Sequence, residues 1–276
     1  MRRGLCALGA AAGIVMFSCV GTRPPLPESA AEIFGQDAAR QFTAGDFDGA
    51  LRLYLKALGE ARRIDNPALR ARYQFNIGRV LYEGALFDSA LVRFDESARL
   101  FAVSGNTEDA AVAGIYVALT FAYKGLPDTA ASLLARNAAP AGAVNEGIVS
   151  TARAIISLRQ GNNVTARRSA DRAMELARER KDPFVRGGIF FYQAMIAFTD
   201  RDAATARRQL DSSLYCYAQS PYRYRNWKTL LGRAIVEYCS GDSLTGSRYY
   251  RRAKMAAPSI VAFPEPAMVS SCPESW

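Results

Sequence analysis

The chain has 276 residues, half of them hydrophobic, a net charge of +9, five cysteines and no histidine. An apolar share of this size excludes a wholly disordered chain and is ample for an extended core. The missing histidine excludes any Ser-His or Cys-His nucleophile pair and removes the commonest general base, so no enzyme is expected.

Arg2 and Arg3 precede an apolar run from Leu5 to Phe17, too short for a membrane span and of the right length for a signal peptide. Removing residues 1–18 takes away Arg2 and Arg3 and lowers the net charge from +9 to +7. Met16-Phe17-Ser18-Cys19 resembles a bacterial lipobox at Ser18 and Cys19, with Met16 where leucine is usual and Phe17 where a small residue is usual. That resemblance implies lipidation of Cys19, and residues 19–30, with Pro24, Pro25 and Pro27, then read as a stiff tether. An exported chain meets anionic lipid or acidic partners, so its positive charge is not read as a nucleic-acid signal.

From residue 31 to residue 258 the chain is periodic. Ala50, Ala90, Ala130, Ala166, Ala206 and Gly246 recur at intervals of 40, 40, 36, 40 and 40, and twelve residues before each stands Ala38, Gly78, Ala118, Ala154, Ala194 or Ala234. Repeat one shows the unit best. Ser29 and Glu32 form a capping box, Gly45-Asp46-Phe47 makes a tight turn, and Ala50, Tyr54 and Ala57 share one face of the second helix. Repeat two supplies Gly78, Phe87, Ala90 and Phe94. Repeat six supplies Ala234, Gly241, Tyr250, Ala253 and a helix-ending Pro258.

These residues resemble the tetratricopeptide repeat (TPR). The resemblance implies an all-α, right-handed α-solenoid of about six helix pairs. The family period is about 34, so a spacing of 40 calls for longer helices or wider loops. HEAT and armadillo arrays also have periods near 40, but the Gly-Asp-aromatic turn and the paired small residues favour TPR packing. The 36-residue interval falls on Asn137 to Gly147, where Pro140, Gly142 and Gly147 suggest a bend between two halves. Beyond Pro258, residues 259–276 are expected to be a non-helical tail because of Pro264, Pro266 and Pro273. Its Ile260, Val261, Phe263, Met268 and Trp276 could pack back as a cap.

Other chemical signals are sparse. There is no paired CxxC to hold zinc, and no cofactor is expected. The Gly241 to Gly246 run followed by Ser247 lacks the lysine of a phosphate loop, and Asp46, Asp48, Glu108 and Asp109 lie where acidic residues cap helices. Asn163-Val164-Thr165 fits a glycosylation pattern, which the bacterial character of the signal argues against. Cys216, Cys239 and Cys272 permit at most one disulfide, with Cys272 the better-placed partner for either of the others, while three reduced thiols are also compatible.

Surface recognition remains. In TPR-like arrays the first helix of each pair lines a concave groove, which implies lining by Asn76, Arg79, Tyr82, Tyr116, Tyr123, Ile155, Arg159, Tyr192, Met195, Phe198, Ile235 and Tyr238. Tyrosines suit peptide or amphipathic ligands and Arg79 and Arg159 suit a carboxylate, although aromatic residues on these helices also pack between repeats. A second surface is basic: Arg167, Arg168, Arg207 and Arg208, extended by Arg248, Arg251, Arg252 and Lys254. The expected function is a membrane-tethered, periplasm-facing scaffold that binds a protein or peptide in an envelope assembly. The alternative is an accessory of a transport system or a carrier of a small amphipathic ligand, as the likeness to spirochaete TPR lipoproteins implies. A closed pocket lined by Tyr82, Tyr116 and Tyr192 would favour the latter.

Overall fold

A computed structural model describes residues 29–138, 146–258, 261 and 263–270. The signal, Cys19 and most of the tether, the 139–145 segment of the expected bend, Cys272 and Trp276 lie outside the described residues. The described chain is an α-solenoid of six antiparallel helix pairs: α1 (Ala30–Ala44) with α2 (Phe47–Arg63), α3 (Pro67–Glu83) with α4 (Phe87–Val103), α5 (Thr107–Tyr123) with α6 (Pro127–Ala138), α7 (Glu146–Arg159) with α8 (Asn163–Arg180), α9 (Pro183–Thr199) with α10 (Ala203–Ala218), and α11 (Asn226–Cys239) with α12 (Ser243–Ala256).

The long period comes from the helices. The starts of α2 to α6 fall at residues 47, 67, 87, 107 and 127, and α2 to α5 each run 17 residues, about 25 Å. Each half-repeat of twenty residues is thus one helix and a turn of three. The turns share one device, a residue in the left-handed region: Gly45, Gly105, Gly125, Gly161 and Gly241, and also Asp65, Ala85, Lys181 and Arg201. The residue that starts the next helix is commonly Asp or Asn. Asp46, Asn66, Asn106, Asn162, Asp202 and Asp242 each accept a hydrogen bond from the backbone N–H three residues on, at 2.8 to 3.1 Å. Ser29 and Glu32 form the expected capping box.

The twelve small positions sit where the two helices of each pair cross. Ala38, Ala118, Ala194 and Ala234 are fully buried on the first helices, as are Ala50, Ala90, Ala130, Ala166 and Ala206 on the second. A Cβ on Gly78 would stand 2.7 Å from the Phe94 ring, and one on Gly246 would stand 2.8 Å from the Tyr238 ring. A side chain at either place would drive the pair apart, so the small residue sets the interhelical distance.

The tail departs from the expectation of a non-helical segment. Pro266 opens a short helix, α13 (Pro266–Ser270), because a first-turn position has no need of the N–H that proline lacks. Val269 on it is 2% exposed, Phe263 lies 5.4 Å from the Tyr250 ring, and the Tyr250 hydroxyl donates to the Pro264 carbonyl at 2.8 Å. The end of the array is covered by its own tail. Cys239 is disulfide-bonded, whereas Cys216 is a buried free thiol raised in pKa by that burial.

Candidate functional site

The inner face is filled from within the chain. α10 ends at Ala218 and α11 begins at Asn226, and between them a 3-10 turn, Arg223–Arg225, reaches across to the first repeats. The Tyr224 ring packs 5.2 Å from Phe42 and 5.1 Å from Phe47, while Tyr222 lies 4.6 Å from Phe184. Gly45 admits this contact: its φ is +88°, and a Cβ there would stand 3.1 Å from the Cβ of Tyr224.

A buried ion pair locks the closure. Glu83, the last residue of α3 and 5% exposed, accepts from Arg225 and, at 3.0 Å, from Lys228 of α11. Burial alone would raise the Glu83 carboxyl, but Arg225 and Lys228 more than reverse this and hold it at about 2. Arg225 also lies over the Phe184 ring at 5.0 Å.

Beside this lock the inner tyrosines pack on one another. Tyr82 meets Tyr116 at 6.0 Å and Tyr123 at 5.5 Å, the Tyr123 and Tyr192 hydroxyls are 3.0 Å apart, and Arg159 lies 4.2 Å over the Tyr123 ring. Burial, reinforced by neighbouring tyrosines, raises the Tyr82 and Tyr192 hydroxyls well above the ordinary range.

The expected groove is therefore corrected at several positions. Tyr82, Ile155, Met195 and Ile235 are buried core residues: Tyr82 and Ile155 share one cluster with Tyr224 of the 3-10 turn, Met195 packs with Ala206, Leu210 and Val236, and Ile235 with Tyr250 and with Val269 of the tail. Tyr123 and Tyr192 spend their hydroxyls on each other. Phe198 packs between the last two repeats, and Tyr238 lies on Gly246 with its hydroxyl 3.0 Å from Ser247 Oγ. Asn76, Arg79, Tyr116 and Arg159 remain part-exposed, with Arg79 5.0 Å over the Phe42 ring.

An open depression does lie between two first helices, nearer their N-terminal ends. About 380 Å³ in volume, it is lined by Ala68, Leu69, Arg72 and Phe75 of α3, Phe101 of α4, and Asn106, Asp109 and Val112 at and within the start of α5. The C-terminal end of α3 is tied to the 3-10 turn through Glu83 and Arg225, and the opening lies towards the N-terminal ends of α3 and α5. Leu69 and Phe75 precede Asn76 and Arg79 on the same helix, so periodicity identifies the helix but not which of its ends stays open.

The basic surface divides in two. Arg167 pairs with Asp200 and Arg207 with Glu237 at 2.9 Å, each reaching the next repeat. These are ties between units and not free charges, a correction that follows from their facing the adjacent first helix. The same edge of the first half has the opposite polarity: Lys124 reaches back to Asp88, and Gln160 donates to Asp128 at 2.8 Å. Arg168 and Arg208 are exposed, and Arg208 donates to the Thr205 hydroxyl at 2.7 Å with the Asp202 carboxylate nearby.

The fold thus defines an all-helical α-solenoid of TPR-like helix pairs. No protein-family model matches the chain, and no curated protein matches it in sequence. Among solved structures it is similar in fold to aspartyl phosphate phosphatase F from Bacillus subtilis, at 11% identity and a TM-score of 0.52, over 90% of this chain and 76% of that one. A tetratricopeptide repeat protein from Parabacteroides merdae aligns at 14% identity and a TM-score of 0.43, over 88% of this chain and 97% of the other.

Proposed function

We propose that this chain is a protein-interaction scaffold, tethered to a membrane through Cys19, facing the periplasm, and docking a protein or peptide within an envelope assembly. The observation that supports docking is the depression between α3 and α5. Leu69, Phe75, Phe101 and Val112 offer an apolar floor, and Arg72, Asn106 and Asp109 offer polar handles at its rim. Its volume of about 380 Å³ suits one or two side chains of a partner better than a whole folded surface. Enclosure of a small amphipathic ligand by Tyr82, Tyr116 and Tyr192 has less support, because these rings contact one another or Tyr123.

The test is crosslinked affinity capture from the native envelope with the wild-type chain and with Leu69→Glu/Val112→Glu. Docking at the depression predicts a protein recovered at physiological salt by the wild type and lost with the variant. Recovery of nothing, or equal recovery by both, refutes it. Intact-mass analysis of the N-terminus tests the tether, and an unmodified or absent Cys19 ends that part of the proposal.

A further inference from the structure

The cations of the second helices of repeats four to six serve two purposes according to register. The residue just after the small position, Arg167 or Arg207, turns to the next repeat and is neutralised there. The residue after that, Arg168, Arg208 or Arg248, is exposed in each of the three repeats and reaches no carboxylate of the next repeat among the described residues; Arg208 has the Asp202 carboxylate of its own helix cap nearby. Of the acids on α8 and α10, Glu175 is paired with Arg172 and Asp211 with Arg233, Asp171 accepts from Gln193 at 2.9 Å, and Glu179 is exposed. A row of exposed arginines is left on the outside, with net positive charge greatest towards the last helix.

The row widens on the last helix. α12 contains no acidic residue, and its Arg251, Arg252 and Lys254 are exposed. Leu244, Arg248, Arg251 and Met255 follow one another at intervals of four, three and four, so they share a face, and Leu244 is 75% and Met255 88% exposed. Two apolar side chains thus flank the arginines on a terminal helix.

We infer that this outer row, Arg168, Arg208, Arg248 and Arg251 with Leu244 and Met255, docks on an anionic lipid surface. A row spread over three repeats matches a continuous sheet of phosphates. The protruding leucine and methionine suit the boundary between headgroups and acyl chains, where an acidic protein would need a matching apolar recess. The inference does not depend on a lipid at Cys19 or on the α3–α5 depression.

The test is co-sedimentation of the full chain with phosphatidylcholine vesicles, with and without phosphatidylglycerol, at low and physiological salt. The wild type is expected to bind only the anionic vesicles, and less tightly as salt rises. Arg168→Glu/Arg208→Glu/Arg248→Glu/Arg251→Glu should bind them at least about a hundredfold more weakly. Glutamine at the same four positions should weaken binding in the same direction, and supplies the folded comparison if circular dichroism shows the charge reversal to misfold. Reversing Arg40, Arg52, Arg62 and Arg63 changes net charge equally at the other end of the array and should leave binding intact; all variants keep the same N-terminal segment. Equal binding to neutral vesicles, unchanged binding by both row variants, or equal loss in the distant control overturns the proposal. So does capture on immobilised poly-glutamate without binding to vesicles, which would mark the row as a protein site.

Discussion

Replacing Glu83 with glutamine is expected to destabilise the array by about 3 kcal/mol near neutral pH, and by progressively less in acid. The carboxyl sits at about 2 in the folded chain against an ordinary 4.5, and each unit of pKa is worth about 1.4 kcal/mol. Because the folded value is the lower one, the contribution is complete above pH 4.5 and is lost as pH falls from there towards 2. Only 5% of the side chain is exposed, so solvent screens the pair little. The variant also leaves Arg225 and Lys228 facing a neutral amide, and removing one partner of a buried pair typically costs about 3–5 kcal/mol, which agrees in size. Urea unfolding followed by circular dichroism, for both proteins across a pH series, reads the difference directly. A gap smaller than about 1 kcal/mol near neutral pH, or one that does not narrow below pH 4.5, would refute the assignment of Glu83 as the ionic lock of the closed array.

Three further outcomes are expected. Ala85 holds φ at 60° where five of the turns use glycine, so Ala85→Gly should raise stability by about 0.5–1 kcal/mol in urea unfolding, whereas Gly45→Ala should lower it by more because of its contact with Tyr224. Gly78→Ala places a Cβ 2.7 Å from the Phe94 ring and should lower the unfolding midpoint by an amount equivalent to about 1–3 kcal/mol. Arg207→Ala deprives the buried Glu237 of hydrogen bonds at 2.9 and 3.1 Å while leaving it the Arg233 bond at 2.5 Å, and should cost about 1.5–3 kcal/mol, whereas Arg208→Ala, on the exposed side, should change stability by less than about 0.5 kcal/mol. Thermal unfolding of the two arginine variants side by side separates the tie from the exposed charge.

By itself the sequence determined the class of fold, the number of units and the positions at which helices cross. Small residues 40 apart, glycine at the turns, and Asp or Asn at helix starts act through backbone geometry and nearest-neighbour packing, and these repeat wherever the same residues recur. Even the excess over the family period was legible in principle, because cap positions such as Asn66, Asn106, Asn162, Asp202 and Asp242 mark off helices of nearly constant length. Tertiary structure alone decided what the inner face became. Whether Tyr82, Tyr123 and Tyr192 line a groove or pack on one another depends on how far the array curves, a sum of small rotations between repeats that no single repeat encodes. Glu83 meets Arg225 142 residues along the chain, and no periodic signal links a helix end in repeat two to a turn before repeat six. The same holds for Arg167 and Arg168, neighbours of one charge that differ in which side of α8 they leave from: one faces the next repeat's Asp200, the other faces water.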